Sequence, residues 1–281
     1  MEANFFRNIF PSEGYQTHRG LAGGDINQVF HVSTSQGEFV VKVNSALKFP
    51  MMFELEKEGL QTLNNNSEFR VPDVHSQGEF DDNSYLAMEY IQPSRGSYPD
   101  EQAGQFLASM HLKTTSTFGL DRANYIGSLS QSNKQHTTWS DFFTEERLLP
   151  LISRNKHYFN KEELSKFKQL FAKFDTFFPT EPPSLLHGDL WSGNTFSDLQ
   201  NRPVLIDPAI YYGHRLMDLG MTKLFGGFGP RFYDSYKEVN RLESNWNEAV
   251  EVANLYPLLV HLELFGSGYR SQIITILNRY Y

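Results

Sequence analysis

Three oxygen-bearing side chains at fixed spacing constrain this 281-residue chain more than any other feature of its sequence. Asp189 lies in the segment LLHGDLWSGN, and Asn194 follows it by five residues. A second acid, Asp207, comes directly after the apolar run 203–206, which predicts a short buried strand. A carboxylate, a carboxamide and a second carboxylate in this order are the groups that phosphoryl transfer needs, so the fold must bring them together.

This spacing matches the catalytic loop of kinases and the metal-binding acid that follows that loop. Asp189 would orient an attacking hydroxyl and accept its proton, whereas Asn194 and Asp207 would hold Mg²⁺ through their oxygen atoms. The alternative is a plain hairpin in which Gly193-Asn194 forms the turn and both acids are solvated. A motif of this length leaves that alternative open.

A second group of residues comes from the N-terminal part of the chain. The glycine pair Gly23-Gly24 lies between two predicted strands and would cover nucleotide phosphates with backbone N–H groups. Lys42 lies in the apolar strand 39–43 and would neutralise those phosphates, with Glu56 of the next helix holding it in place. Taken singly, the glycine pair is as easily a plain hairpin turn, and Lys42 and Glu56 each fit an edge-strand lysine and a surface glutamate better. Their order along the chain favours a kinase.

The segment Met88-Glu89-Tyr90-Ile91 ends the last predicted strand before a change in composition. In a kinase this position is the hinge, where backbone carbonyl and N–H groups read the edge of adenine. The alternative is the end of an ordinary core strand. Because the backbone makes the contacts, the side chains discriminate poorly between the two.

Periodicity along the chain predicts an α+β fold. Strands are expected within 15–43, at 71–74 and at 84–91, a helix at about 51–64, an irregular loop at 114–138, and helices near 100–110, 164–174, 231–241 and 247–264. This pattern corresponds to a bilobal, protein-kinase-like architecture. The N-terminal nucleotide-binding lobe, 1–91, would hold an antiparallel sheet with one helix, and 92–281 would form a larger, mainly helical lobe for catalysis and substrate binding.

Composition excludes several classes of function. The chain has 25 basic and 33 acidic residues, a net charge of −8, which argues against nucleic acid or an anionic membrane as partner. It has no cysteine, which excludes disulfides, thiolate catalysis and cysteine metal sites. Neither a signal peptide nor an uninterrupted apolar run long enough for a membrane span is evident, so a cytoplasmic location is expected.

Three further residues are candidates for substrate contacts. Trp191 lies two residues after the proposed base, where its flat ring would suit a sugar, although a tryptophan buried under the loop is equally plausible. His214 and Arg215 follow the metal acid and would contact substrate or phosphate. Asp218 is expected to hydrogen-bond the backbone of the catalytic loop, which is a structural role, and His187 is expected to shape that loop.

On these residues the chain resembles the fructosamine kinase, or ketosamine 3-kinase, family within the aminoglycoside and choline kinase group. The matching strings are LHGDLWSGN at 186–194, PVLIDPA at 203–209, YYGHR at 211–215, LFGGF at 224–228, LFG at 264–266, FVVKV at 39–43, FELE at 53–56 and MEY at 88–90. They cover nearly the whole chain, and Trp191 to Asn194 is the most specific part.

The resemblance implies an ATP- and Mg²⁺-dependent kinase that phosphorylates the 3-hydroxyl of a ketosamine, such as a small-molecule or protein-bound fructosamine or ribulosamine. The product is unstable and falls apart, which removes the sugar from the amine and so deglycates it. The chain departs from the family at Asp25, at Leu216-Met217 and at Glu263, which bears on substrate preference. Two alternatives stay open: a kinase for choline, an aminoglycoside or homoserine, and a silent nucleotide-binding module.

Overall fold

A computed structural model describes residues 2–21 and 26–281 of the chain. Gly23, Gly24 and Asp25 lie outside the described residues, so the phosphate-covering role of the glycine pair stays a prediction. The elements are, in chain order, α1 (Ala3–Ile9), β1 (Tyr15–Gly20), β2 (Gln28–Thr34), β3 (Glu38–Ser45), α2 (Met52–Asn66), β4 (Val74–Phe80), β5 (Asn83–Glu89), α3 (Asp100–His111), β6 (Asn124–Ile126), β7 (Leu129–Gln131), α4 (Trp139–Phe142), a π-helix (Phe143–Leu148), α5 (Leu149–Arg154), α6 (Lys161–Phe171) and α7 (Phe174–Phe177).

The remaining elements are short strands followed by helices. They are β8 (Ser184–Leu186), β9 (Thr195–Ser197), β10 (Pro203–Leu205), β11 (Tyr211–Gly213), α8 (Leu216–Leu224), α9 (Pro230–Val239), α10 (Trp246–Ala253), α11 (Leu255–Phe265) and α12 (Arg270–Tyr280), with 3₁₀ turns at Lys156–Tyr158 and Ser267–Tyr269. No helix among residues 2–21 and 26–281 is both long and apolar enough to cross a membrane.

The chain divides into two compact units. The first unit comprises Met1–Asn65, Phe69–Tyr98 and Phe196–Asp207, and the second comprises Asn66–Glu68, Pro99–Thr195 and Pro208–Tyr281. The first unit is therefore built from sequence segments that are far apart along the chain. The proposed lobes, 1–91 and 92–281, stay predictions about domain organisation.

The first unit is organised around an antiparallel sheet with strand order β1-β2-β3-β5-β4. Alternating strand residues from β2, β3 and β5 pack with α1, and the buried cluster comprises Phe5, Phe6, Ile9, Phe10, Val32, Val41, Val43 and Ala87. Burying a side chain of this size contributes about 1.5–3 kcal/mol. α1 was not predicted from the sequence, and it supplies Phe5, Phe6 and Ile9 to this cluster.

The later segment Phe196–Asp207 completes the first unit. The backbone N–H of Arg70 donates to the carbonyl of Pro203 at 3.0 Å, and the N–H of Leu205 donates to the carbonyl of Arg70 at 2.9 Å. The N–H of Ser94 likewise donates to the carbonyl of Ser197 at 2.7 Å. These bonds hold the β9–β10 hairpin to the first unit, which also contains Asp207, two residues after the end of β10.

Three predicted elements differ from those observed. The strand expected at 71–74 begins only at Val74, because Pro72 has no N–H to donate to a strand ladder. The loop expected at 114–138 contains the β6–β7 hairpin, whose strands are each three residues long and too short to show an alternating pattern. The helix expected at 247–264 is divided into α10 and α11 around Asn254.

The second unit is mainly helical. Its small β8–β11 sheet pairs Leu186 with Tyr211 and Leu185 with Tyr212, and all four residues except Tyr212 are buried. Because β8 ends at Leu186, the chain leaves this pair of strands directly into the segment His187 to Asn194. The α+β composition that the sequence predicted is thus present in the two units.

Candidate active site

Lys42 is the centre of a buried ionic cluster in the first unit. It lies in β3, paired with Val29 of β2 on one side and Leu86 of β5 on the other, so it is not on an edge strand. Its Nζ donates to Glu56 Oε1 at 2.5 Å and to Asp207 Oδ1 at 2.6 Å. The structure therefore brings together the strand lysine, the helix glutamate and the acid after β10.

The ammonium of Lys42 is charged throughout the physiological pH range. Burial alone would lower its pKa, but the carboxylates of Asp207 and Glu56 outweigh that effect and raise the pKa above its ordinary value. Lys42 is only 5% exposed, and a charge this deeply buried requires such partners. The predicted ion pair between Lys42 and Glu56 is confirmed by these contacts.

Asp207 follows β10 in an unusual backbone conformation. Its φ is +56°, a left-handed value that Asp tolerates better than most residues but that still costs free energy. One carboxylate oxygen contacts Lys42, while 41% of the side chain remains exposed. A strained, partly exposed carboxylate beside a buried cation fits an oxygen ligand for a divalent ion.

The second unit holds the proposed catalytic loop through a buried carboxylate. The backbone N–H groups of His187 and Gly188 donate to Asp218 Oδ2 and Oδ1 at 2.8 and 2.9 Å. Nε2 of His111 lies 3.2 Å from the same carboxylate, and Tyr236 Oη lies 2.8 Å from Nδ1 of that histidine. The predicted structural role of Asp218 is confirmed.

Glycine is required at position 188. Its φ is +82°, and a Cβ there would lie 2.1 Å from the carbonyl oxygen of Ala209. The N–H of Ala209 donates in return to the carbonyl of His187 at 2.9 Å, so the two segments run against each other. This close approach presents Asp189 at the end of a rigid turn.

The five-residue spacing of Asp189 and Asn194 has a direct structural cause. Nδ2 of Asn194 donates to both the backbone carbonyl and the Oδ2 of Asp189, each at 2.9 Å. These bonds close the loop and orient the amide so that its nitrogen faces Asp189 and its oxygen is directed elsewhere. This orientation of the Asn194 amide fits the proposed roles. Asp189 is the base, and the amide oxygen of Asn194 is available as a metal ligand.

Trp191 is exposed rather than buried under the loop. Its relative exposure is 38%, and a Cβ at Gly193 would lie 2.3 Å from its ring. The loop therefore needs glycine at 193 for the indole to fold back over it. In the sequence Gly193 stands out only as part of a motif, and its role is revealed by the close approach of the ring.

His214 and Arg215, expected to contact substrate, are committed to other partners. His214 is 1% exposed, and its Nε2 donates to the carbonyl of Pro179 at 3.2 Å. Arg215 is 6% exposed, and its guanidinium donates to both carboxylate oxygens of Glu181, at 2.7 and 2.5 Å, and to Asn240 Oδ1 at 2.6 Å. These contacts favour a structural role for both residues.

The buried imidazole of His214 gives a test by pH. Burial lowers its pKa from 6.5 to about 4, so the unfolded chain binds this proton more readily than the folded chain. The free energy of unfolding should therefore fall as the pH decreases from 6.5 towards 4, by roughly 3 kcal/mol for this group. Urea unfolding at pH 5 and pH 7.5 measures the change.

The variant His214→Gln should show a weaker dependence on pH than the wild type, because it removes the titrating group. The variant His157→Gln, at an exposed histidine, is the matched control and should keep the wild-type dependence. Equal pH dependence in both variants would show that His214 does not contribute to acid sensitivity.

The proposed hinge lies at the end of β5. Met88 is 3% exposed, and the N–H of Glu89 donates to the carbonyl of Asp73 at 2.8 Å. Arg70 forms an ion pair with the Glu89 carboxylate, and the N–H of Tyr90 donates to the carbonyl of Glu38 at 3.2 Å. The segment is thus fixed within the first unit, while its role in adenine recognition, with Ile91, stays a prediction.

Comparisons with known proteins identify a family. The profile of the fructosamine kinase family matches residues 7–281. A candidate ketoamine kinase of Enterococcus faecium is 38% identical over 269 residues, which cover 92% of this chain and 94% of that relative. The chloroplastic protein-ribulosamine 3-kinase of Arabidopsis thaliana is 38% identical over 268 residues, which cover 92% of this chain and 81% of that relative.

Solved structures agree on the fold. A candidate fructosamine-3-kinase of Thermobifida fusca superposes with a TM-score of 0.87 at 29% identity, covering 99% of this chain and 97% of that chain. An aminoglycoside phosphotransferase in ternary complex with AMP-PNP and hygromycin B gives a TM-score of 0.66 at 15% identity, covering 98% and 97%. The second likeness concerns the fold alone. The predicted α+β, protein-kinase-like fold is confirmed.

Proposed function

The chain belongs to the fructosamine kinase family, and we propose that it uses ATP to phosphorylate the 3-hydroxyl of a ketosamine, either fructosamine or ribulosamine. The observation that carries the proposal is the buried Lys42 ammonium, held by both Glu56 and Asp207. A lysine fixed in this way provides a positive charge at a defined position, as neutralisation of nucleotide phosphates requires. The family relationship then identifies the acceptor class.

Asp189 is proposed as the group that receives the proton. When the acceptor hydroxyl attacks the γ-phosphorus in line, its proton passes to the Asp189 carboxylate and the leaving oxygen takes the negative charge. One bond from Asn194 holds this carboxylate, a second holds the backbone carbonyl of Asp189, and Asp218 holds the backbone before it. Positioning of this kind, together with charge stabilisation, supplies most of the rate in phosphoryl transfer.

Asn194 and Asp207 are proposed as the protein ligands of Mg²⁺. The ion supplies positive charge that neutralises phosphate oxygens during transfer. The support comes from the orientation of the Asn194 amide and from the exposed fraction of the Asp207 carboxylate. The Lys42 ammonium is complementary to a phosphate group, and the Asp207 carboxylate beside it is complementary to a divalent ion.

Trp191 is proposed to contact the sugar of the acceptor. Its ring is partly exposed two residues after Asp189, and an aromatic face packs well on the C–H surface of a sugar. The backbone of Met88 to Ile91 is proposed to read adenine, and Gly23-Gly24 to cover the phosphates. A cytoplasmic location and the absence of nucleic-acid and membrane partners stay predictions from the sequence.

An acceptor panel tests the function. Ribulosamine and fructosamine derivatives of one amine, choline, homoserine and hygromycin B are each incubated with enzyme and Mg-ATP while ADP release is followed. We expect turnover with the ketosamines, a phosphate on C3 by ³¹P NMR, and slow ATP-dependent release of the free amine. Faster turnover of another acceptor would contradict the ketosamine assignment, and binding of Mg-ATP without any transfer would indicate a silent module.

A further inference from the structure

A series of aromatic rings extends outward from Trp191 within the second unit. The ring centroid of Trp191 lies 5.9 Å from that of Phe225, which lies 4.7 Å from that of His261. The His261 ring is in turn 5.4 Å from Phe265 and 5.0 Å from Tyr269. We call these five residues the aromatic strip. It connects the catalytic loop to the C-terminal end of α11 and the turn that follows.

Both ends of the aromatic strip are open to solvent. Phe265 is 50% exposed and Trp191 is 38% exposed. The other three rings, those of Phe225, His261 and Tyr269, are half-buried. Single exposed apolar side chains are common on protein surfaces. Connected aromatic rings that begin two residues after a catalytic base form a continuous surface instead, and such surfaces mark binding sites.

The aromatic strip carries no fixed charge. Nδ1 of His261 donates to the carbonyl of Pro257 at 2.7 Å, and burial lowers the pKa of this histidine although that hydrogen bond opposes the shift. His261 also lines a small cavity together with Asp189 and Met217, so the strip and the base share a wall. A neutral aromatic surface of this kind binds apolar groups and the faces of other rings.

We propose that the aromatic strip binds the group carried on the amine nitrogen of the ketosamine, and that Phe265 makes the enzyme selective for amines with an aromatic or long apolar group. The inference rests on the proposed function. In a ketosamine the nitrogen is attached two carbons away from the carbon that bears the reacting hydroxyl. With that hydroxyl at Asp189, the nitrogen lies close to Trp191 and its substituent continues along Phe225.

The chemistry of the acceptor fits this arrangement. The secondary amine of a ketosamine is protonated near neutral pH, and an ammonium close to an indole face is stabilised by the ring quadrupole. The nitrogen substituent then lies over half-buried rings, where each added apolar contact removes surface from water. A small hydrophilic substituent reaches Trp191 but gains nothing from Phe265.

Two ketosamines of the same sugar test the proposal, one made from benzylamine and one from ethanolamine. We expect the wild-type enzyme to show a kcat/KM roughly tenfold higher for the benzyl compound, in line with one aromatic contact and its buried area. Phe265→Ala should remove most of this preference through a higher KM for the benzyl compound, with little change for the ethanolamine compound. Phe265→Tyr keeps the ring and should keep the preference.

Leu149→Ala is the matched control, because Leu149 is a similarly exposed apolar residue (45%) outside the aromatic strip. It should retain the wild-type preference. Equal activity of the wild type on both compounds, or an equal loss on both in Phe265→Ala, would overturn the role of the strip and leave the proposed function intact. Failure of the wild type to phosphorylate either ketosamine would overturn the proposed function. It would also overturn the proposal that the strip binds the nitrogen substituent of a ketosamine.

Discussion

Replacing Asp189 by asparagine is expected to lower kcat by at least about 100-fold while the affinity for ATP stays close to that of the wild type. A general base of this kind contributes about 10²- to 10⁴-fold, and an amide cannot accept the proton of the attacking hydroxyl. The substitution keeps the size of the side chain and an oxygen that can accept the bond from Asn194. The defect should therefore be confined to transfer.

Steady-state kinetics with a synthetic ketosamine measure the loss, and fluorescence titration with ATP measures binding. Asp234→Asn is the matched control, since that acid lies on the surface of α9 in an exposed ion pair with Lys237. It should leave both quantities unchanged. A kcat of Asp189→Asn equal to that of the parent would show that another group is the base.

Replacing Asp218 by asparagine is expected to lower the melting temperature by about 6–12 °C and to remove most activity. Both oxygens of this fully buried carboxylate accept backbone N–H bonds, from His187 and Gly188. An amide has one accepting oxygen, so its NH₂ would face a backbone donor and leave it unsatisfied. Such a loss costs about 3 kcal/mol, which corresponds to that temperature shift in a chain of this size.

Differential scanning calorimetry measures the shift, and an ATPase-coupled assay measures activity at a temperature where the variant is folded. Low activity in the folded variant is expected because the backbone before Asp189 loses its anchor. Asp234→Asn again serves as the control for a surface Asp-to-Asn change. If Asp218→Asn melts and turns over like the wild type, the carboxylate does not hold the loop.

Much of the candidate site was predictable because its signals are local. Asp189, Asn194 and Asp207 stand at characteristic spacing, and Asp207 follows an apolar strand. Lys42 in an apolar strand requires a carboxylate, and a glutamate on the next helix was an available partner. Its bond to Asp207 connects residues far apart in sequence, and that contact agrees with the kinase order of motifs.

The remaining features depend on tertiary packing that a single sequence does not display. His214 and Arg215 directly follow a motif, but their partners, Pro179, Glu181 and Asn240, lie well away from them along the chain. Polar residues beside a catalytic motif could equally face substrate or the interior. The role of His111 was missed for the same reason: a lone histidine at the last turn of α3 resembles ordinary helix termination.

The discontinuous sequence of the first unit affects the order in which a growing polypeptide can mature. As the ribosome extends the chain, the five-stranded sheet is available early, but the β9–β10 hairpin that bonds to Arg70 and Ser94 is synthesised only after most of the second unit. Closing contacts across so many residues is entropically slow. Until Asp207 emerges, nascent Lys42 has the Glu56 carboxylate but lacks that of Asp207, so the ionic cluster proposed to bind phosphate is completed late.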